Sequence, residues 1–218
     1  MENSKIQEIS QQMIARYSKR YNELGYHVHT LGWGSKEQQD YRFAQTLSEI
    51  SFTPKKNILD IGCGFGDYLA MLIAQKKDFA NYYGWDINPD LIGEAKKIWQ
   101  NNKKAQFEVQ NINILNSLNN VADIGVMLGV LNLNLEGKVD NYEYSFNLIK
   151  NAFSYVKEVL VIDFLSIHRA TSYEKEDFVF YHDPKVVLNF ALSLTDNVVL
   201  KHNYAQIPQK EFMLYIYK

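Results

Sequence analysis

The stretch Asn57-Ile58-Leu59-Asp60-Ile61-Gly62-Cys63-Gly64-Phe65-Gly66-Asp67, followed by Tyr82-Tyr83-Gly84-Trp85-Asp86, decides the fold. It reads as an apolar strand, a glycine-rich turn, a helix start and a second strand that ends in an acid. Glycines at alternating positions after a strand let the backbone turn sharply and approach a ligand where a Cβ would clash. Position 67 is Asp, so the G-x-G-x-x-G spacing of dinucleotide-binding turns is not met.

That departure carries chemistry. A pyrophosphate needs a bare helix N-terminus, where amides and the helix dipole favour negative charge. Here Asp60 and Asp67 flank the turn, which suits a cationic amino-acid end better than a phosphate. Asp86, at the tip of the next strand, can accept from both hydroxyls of a ribose. Ribose plus ammonium without pyrophosphate describes S-adenosylmethionine.

The residues resemble the class I S-adenosylmethionine-dependent methyltransferases. The first motif is Asp60 to Gly66, and the ribose-binding acid opens Asp86-Ile87-Asn88-Pro89. The resemblance implies an α/β, Rossmann-like sheet of seven mostly parallel strands with helices on both faces and the last strand antiparallel. It places Asp60 near the cofactor's amino end, directly or through water, Gly62, Cys63, Gly64 and Gly66 along it, and Asp86 with Ile87 at the ribose. The third strand delivers Asn111 and Ile112, where the family often carries an adenine-binding Asp; Asn111 departs from that pattern, although an amide can both accept and donate. The fourth delivers Leu128-Gly129-Val130-Leu131-Asn132, where the family has backbone contacts to the cofactor and the floor of the methyl-transfer site.

Periodicity along the chain agrees with this class. Strands are predicted at Asn57 to Ile61, Tyr82 to Trp85, Gln106 to Val109, Ala122 to Leu128, Glu158 to Phe164, Asn197 to Lys201 and Phe212 to Tyr217. Helices are predicted at Tyr68 to Gln75, Leu91 to Gln100 behind an Asn88 cap and Pro89, Asn141 to Tyr155, and from Asp183-Pro184 to Leu194. The alternation indicates a parallel α/β sheet, without repeats or linkers.

The chain of 218 residues, 46% of them apolar, is long enough to bury a core without metals or disulfides. With 23 basic and 25 acidic residues scattered along the chain, there is no basic stripe for nucleic acid. The single cysteine, Cys63, allows no internal disulfide and fits a reducing, cytoplasmic setting; inside the turn it reads as a small apolar residue and not a reactive thiol. Met1 to Arg16 reads as a polar helix with no signal-type apolar run, and no segment has membrane-spanning length.

Residues 1–53 read as a helical cap on a methyltransferase domain at 54–218. Within the cap lies Leu31-Gly32-Trp33-Gly34-Ser35, where Ser35 can cap a helix that places Gln38 and Arg42 on one face. Trp33 and Arg42 offer a ring for stacking and a guanidinium for a carboxylate, and are read as part of a cofactor lid, against the alternative of a core tryptophan and a surface ion pair. On that reading, the chain from Thr53 onward holds a complete sheet and folds without the cap. The leader resembles a subset of class I methyltransferases that also carries Tyr181-His182-Asp183-Pro184, His202-Asn203-Tyr204 and Glu211-Phe212; where that subset has Asn after the fifth strand, this chain has Asp163.

Methyl transfer is an in-line displacement at a sulfonium carbon, so alignment and exclusion of water matter more than acid-base chemistry. His168 and Tyr181 rank first as candidate bases, because they flank the irregular stretch Ser166 to Asp177 at the ligand edge of the sheet. No metal-ligand spacing and no nucleophile elbow is present. The sequence thus reads as a cytoplasmic methyltransferase acting on O, N or C of a small, uncharged or weakly charged acceptor, walled by Tyr26, Trp33, Tyr41, Tyr173, Phe178, Phe180 and Tyr181, and not on nucleic acid or at a membrane. The alternatives are a non-catalytic protein that binds the nucleoside and, disfavoured by the glycine spacing, a nicotinamide oxidoreductase.

Overall fold

A computed structural model of the chain describes residues 3–114, 120–168, 173–205 and 209–218. Met1, Glu2 and positions 169–172 of the predicted irregular stretch lie outside the described residues. The elements run α1 (Asn3–Leu24), α2 (Lys36–Gln45), β1 (Ile58–Ile61), α3 (Asp67–Ala74), β2 (Tyr82–Asp86), α4 (Pro89–Ile98) and β3 (Ala105–Val109). They continue with β4 (Ala122–Met127), α5 (Asn141–Tyr155), β5 (Val156–Leu165), α6 (Pro184–Leu192), β6 (Val198–Lys201) and β7 (Glu211–Tyr217).

The seven strands form one sheet in the order β3-β2-β1-β4-β5-β7-β6. β3, β2, β1, β4 and β5 are mutually parallel, and β7 runs antiparallel between β5 and β6. The strand order reverses at β1 and β4, so their carboxyl ends open the crevice in which such sheets bind ligands.

Helix starts follow local chemistry. Ser35, Asn88, Asp140 and Asp183 occupy the N-caps of α2, α4, α5 and α6, each accepting from backbone amides of the first turn. α3 begins instead after Gly66, whose φ of 81° is left-handed and closed to most side chains.

Two apolar layers clothe the sheet. One face carries α5 and α6, with Leu148, Ile149, Val187 and Ala191 packed on Leu160, Ile162 and Leu214. The other carries α2, α3 and α4, with Phe43, Leu69, Leu72 and Ile92 packed on Ile58, Ile124 and Val161. At about 25 cal/mol per Å² of apolar area removed from water, these layers are the main stabilising term.

β5 starts two residues earlier than the polar Lys157-Glu158 pair implies, because α5 runs directly into it and the β4–β5 register shifts between Ala122 and Ile124 to absorb the join. α1 is mostly polar and crosses the ligand edge of the sheet. It is held there by Asn88 Nδ2, which donates to Ile14 O at 3.0 Å and Ser18 Oγ at 3.1 Å, and by Tyr21, whose hydroxyl donates to Glu94 at 2.8 Å.

Candidate active site

The turn after β1 is built by its own backbone. The amides of Gly62 and Cys63 donate to Trp85 O at 2.7 and 3.1 Å, which binds the turn to β2. Gly64 N donates to Asp86 Oδ2 at 3.0 Å, and Asn88 N donates to Asp86 Oδ1 at 2.9 Å. Each oxygen of Asp86 is therefore oriented by at least one amide and keeps lone-pair capacity for a ligand. Burial raises the Asp86 carboxyl above the usual carboxylate range, and the amides of Asn88, Gly64 and Ile87 partly oppose this.

Asp60, next to last in β1, is buried and accepts from the Tyr82 hydroxyl. Burial pushes its carboxyl up to about 7; the Tyr82 hydrogen bond opposes the shift, while Asp86 and Asp67 add to it. The third acid, Asp67, is committed to the N-terminal segment. It accepts from the Tyr26 hydroxyl at 2.9 Å and from Gln39 Nε2 at 3.0 Å.

Asp60, Asp67 and Asp86 face one cavity of about 390 Å³. Gly62, Cys63, Gly64, Ile87 and Leu128 line its near wall, and Trp33 and Arg42 close it from the N-terminal side. Gly64 lies under Leu31: with φ at 54°, a Cβ there would sit 2.8 Å from Leu31 Cδ2. Glycine is needed at that position both for its conformation and for this close approach.

Trp33 is buried against the backbone of Gly129, meets Phe43 edge-on at 5.6 Å, and has the Arg42 guanidinium over its ring at 4.8 Å. Arg42 pairs with Glu211 and lies 3.6 Å from Asp163 Oδ2, and Asp163 Oδ1 accepts from Gly129 N at 2.6 Å. Both carboxylates are raised by burial, Glu211 to about 8, with Arg42 opposing the shift. The arginine is thus neither a surface ion pair nor free. It is the buried joint between the N-terminal segment and the sheet.

The other sequence candidates stand elsewhere. Gly66 packs under Trp99 and Phe107, away from the cavity wall. Asn111 donates to Ser10 Oγ at 2.9 Å and accepts from Asn113 N at 3.1 Å, so its amide is engaged by α1 and its own loop. Ile112 is in the core on the α5 face. Neither Asn111 nor Ile112 lines the cavity.

His168 lies beside His202, with ring centroids 5.9 Å apart, and Tyr181 is buried with Leu165 and Val179; both are also off the wall. Of the aromatics expected there, Trp33, Tyr173 and Phe178 line the cavity, whereas Tyr26, Tyr41, Phe180 and Tyr181 do not. The far wall also holds Glu176 and Gln209, which sequence reasoning missed. Glu176 accepts from the Tyr173 hydroxyl and from Gln209 Nε2 at 3.3 Å, and Asn132, from the segment expected at the floor of the site, lines the same cavity. No local pattern marks Glu176 and Gln209, because they come from separate loops.

A family model described as a methyltransferase domain matches residues 52–180, and the chain belongs to that family. No curated protein matches its sequence. Among solved structures, the magnesium protoporphyrin IX methyltransferase ChlM of Synechocystis, crystallised with S-adenosylhomocysteine, is similar at a TM-score of 0.64 and 15% identity, covering 98% of this chain and 99% of that one. A SAM-dependent methyltransferase from Aquifex aeolicus gives 0.59 and 14%, over 92% and 97%. The small RNA methyltransferase HEN1 gives 0.66 and 17%, covering 84% of this chain; the match spans only 26% of the HEN1 chain. The fold is that of the class I S-adenosylmethionine-dependent methyltransferases.

Among the described residues, no three or more His, Cys, Asp or Glu side chains gather as a metal site, and no helix is long and apolar enough to cross a membrane.

Proposed function

We propose that the protein transfers a methyl group from S-adenosylmethionine to an oxygen, nitrogen or carbon of a small molecule, in a reducing compartment such as the cytoplasm. The observation that carries this reading is the convergence of Asp60, the glycine turn and Asp86 on one wall of a 390 Å³ cavity whose other walls come from the N-terminal segment and the loops after β4 and β5. A volume in the range of roughly 300 to 1,000 Å³ is usual for small-molecule sites.

The donor set fits the cofactor. Asp86 offers a fixed carboxylate to a ribose diol, and Asp60 offers an acid that gains from ionising next to an ammonium. Gly62 and Gly64 let the backbone approach, while Ile87, Leu91 and Leu128 supply apolar walls for the nucleoside. When bound, S-adenosylmethionine supplies an electrophilic methyl on a sulfonium. The protein's own part is to align an acceptor with that methyl and to exclude water. Trp33 and the segment around Leu31 cover the turn from above, so residues 1–53 act as a cap fixed by Asp67 and by the Arg42 joint.

If the acceptor needs a base, the placement favours Glu176 over His168 and Tyr181, since only Glu176 faces the cavity. Incubation with methyl-labelled cofactor and an extract fractionated by size tests the reading. Label in the small-molecule fraction, with release of S-adenosylhomocysteine, supports it. Label in RNA moves the acceptor to nucleic acid, and binding without turnover leaves a nucleoside-binding protein.

A further inference from the structure

We infer that the methyl acceptor carries a carboxylate and that Arg16 of α1 anchors it. This rests on the methyl-transfer reading above and names the acceptor class for the same cavity.

Three arginines line the cavity, and they are not equivalent. Arg42 is spent on Glu211 and Asp163. Arg20 lies beside Gly32, where a Cβ would stand 3.0 Å from its Nη1, next to the Leu31 that covers the glycine turn. It therefore belongs to the cofactor half. Arg16 lies at the other end, its guanidinium 5.6 Å from the centre of the Phe178 ring. Among the described residues no carboxylate pairs with it, and its Nε is buried without a hydrogen-bond partner.

The floor beneath Arg16 is a short ribbon in which Asn134 N donates to Phe178 O at 2.9 Å, Phe180 N donates to Asn132 O at 3.0 Å, and Leu133 bridges Val179. Asn132 lines the cavity too, and its Nδ2 is likewise buried without a partner. Two donors with no partner among the described residues, one of them charged, line the same cavity. A buried donor left unsatisfied is costly, and a ligand's oxygens remove that cost. A guanidinium fork matches a planar carboxylate, and the Phe178 ring beside it packs an apolar body.

Charge balance decides between anions. Asp60, Asp67, Asp86 and Glu176 line the same cavity, so the one guanidinium on the acceptor half suits a single negative charge, while a phosphate dianion would meet four carboxylates. Gln209 Oε1, buried and without a partner among the described residues, is a complementary acceptor for an O–H or N–H of the same molecule.

The test is calorimetry on the full chain saturated with S-adenosylhomocysteine, using matched pairs of carboxylic acids and their primary amides on phenyl, indole and aliphatic frames, with one phosphate monoester. At least one acid should bind tenfold or more tightly than its amide and than the phosphate ester. Arg16→Gln should erase that preference, and Arg16→Lys should retain part of it, with the affinity for S-adenosylhomocysteine kept in both. Arg16 makes no ion pair among the described residues, so both variants should fold. Equal binding of acid and amide, binding of neither, or preference for the phosphate ester overturns the inference, as does an Arg16→Gln variant that weakens S-adenosylhomocysteine instead. Failure of S-adenosylhomocysteine to bind the unmodified chain overturns the underlying reading and the inference with it.

Discussion

Arg42, on a helix that precedes the first strand, forms a buried ion pair with Glu211 at the start of the last strand, and Asp163 on β5 completes the cluster at 3.6 Å. A buried ion pair contributes little net stability compared with apolar residues of the same shape, but removing one partner leaves an uncompensated charge in the interior. The N-terminal segment is therefore joined to the sheet by a contact whose loss costs more than its formation contributes.

Arg42→Met should lower the unfolding free energy by about 3–5 kcal/mol in urea titrations above pH 8, where Glu211 is ionised. Adding Glu211→Leu and Asp163→Asn should recover much of that loss, because the stranded carboxylates are gone. A chain beginning at Thr53 should fail to fold cooperatively for the same reason, despite its complete set of strands. An unchanged midpoint for Arg42→Met would show the pair to be solvated.

Stability should fall as pH rises through neutrality. Asp60 is held at about 7 when folded, against about 3.9 in an unfolded chain. A group raised in this way contributes its full stabilising term below about pH 4 and loses it as pH climbs through 7, a difference of order 4 kcal/mol at most. Glu211, raised to about 8, acts with the same sign at slightly higher pH. Melting curves from pH 5 to 8.5 should therefore slope downward, and Asp60→Asn should flatten the part centred below pH 7. A profile for Asp60→Asn identical to that of the unmodified chain would remove Asp60 from the account.

Asp86→Ala should weaken S-adenosylhomocysteine by about 1.5–3 kcal/mol for each ribose hydrogen bond lost, measured by calorimetry. It also leaves the Gly64 and Asn88 amides without their acceptor, so the turn should loosen. Asp86→Asn, which keeps one acceptor oxygen, should bind with intermediate affinity. Equal affinities for all three chains would place the ribose elsewhere.

Gly129→Ala should impair cofactor affinity without touching a charged group. Its φ of 73° is strained for alanine, and the new Cβ would press on Trp33 at 3.0 Å. The indole, and the Arg42 guanidinium above it, would have to shift. Tryptophan fluorescence should report the movement; an unaltered spectrum with unaltered binding would mean that the contact is slack.

The parts legible in the sequence were those set by short-range chemistry. The glycine turn between Asp60 and Asp67, the acid closing β2, and the N-caps at Ser35, Asn88 and Asp183 are each fixed by a few adjacent residues, and the structure has them as read. The joint of Arg42 with Glu211, the grip of Tyr26 and Gln39 on Asp67, and the place of Glu176 and Gln209 on the far wall were not legible. Those contacts unite segments far apart in the chain, and a charged residue carries no local mark of whether its partner is water or a buried carboxylate. Asn111 shows the same limit from the other side: its position after β3 pointed to a ligand, yet Ser10 of α1 takes its amide.

The central claim is that the cavity at the ends of β1 and β2 holds S-adenosylmethionine. Titration of the full chain with S-adenosylhomocysteine and, separately, with NAD tests it most directly. The expected result is saturable one-to-one binding of S-adenosylhomocysteine, with a proton released to solvent near pH 6 as the charge of the ammonium favours ionised Asp60, and no measurable binding of NAD. No heat from S-adenosylhomocysteine, or tighter binding of NAD, would contradict the account.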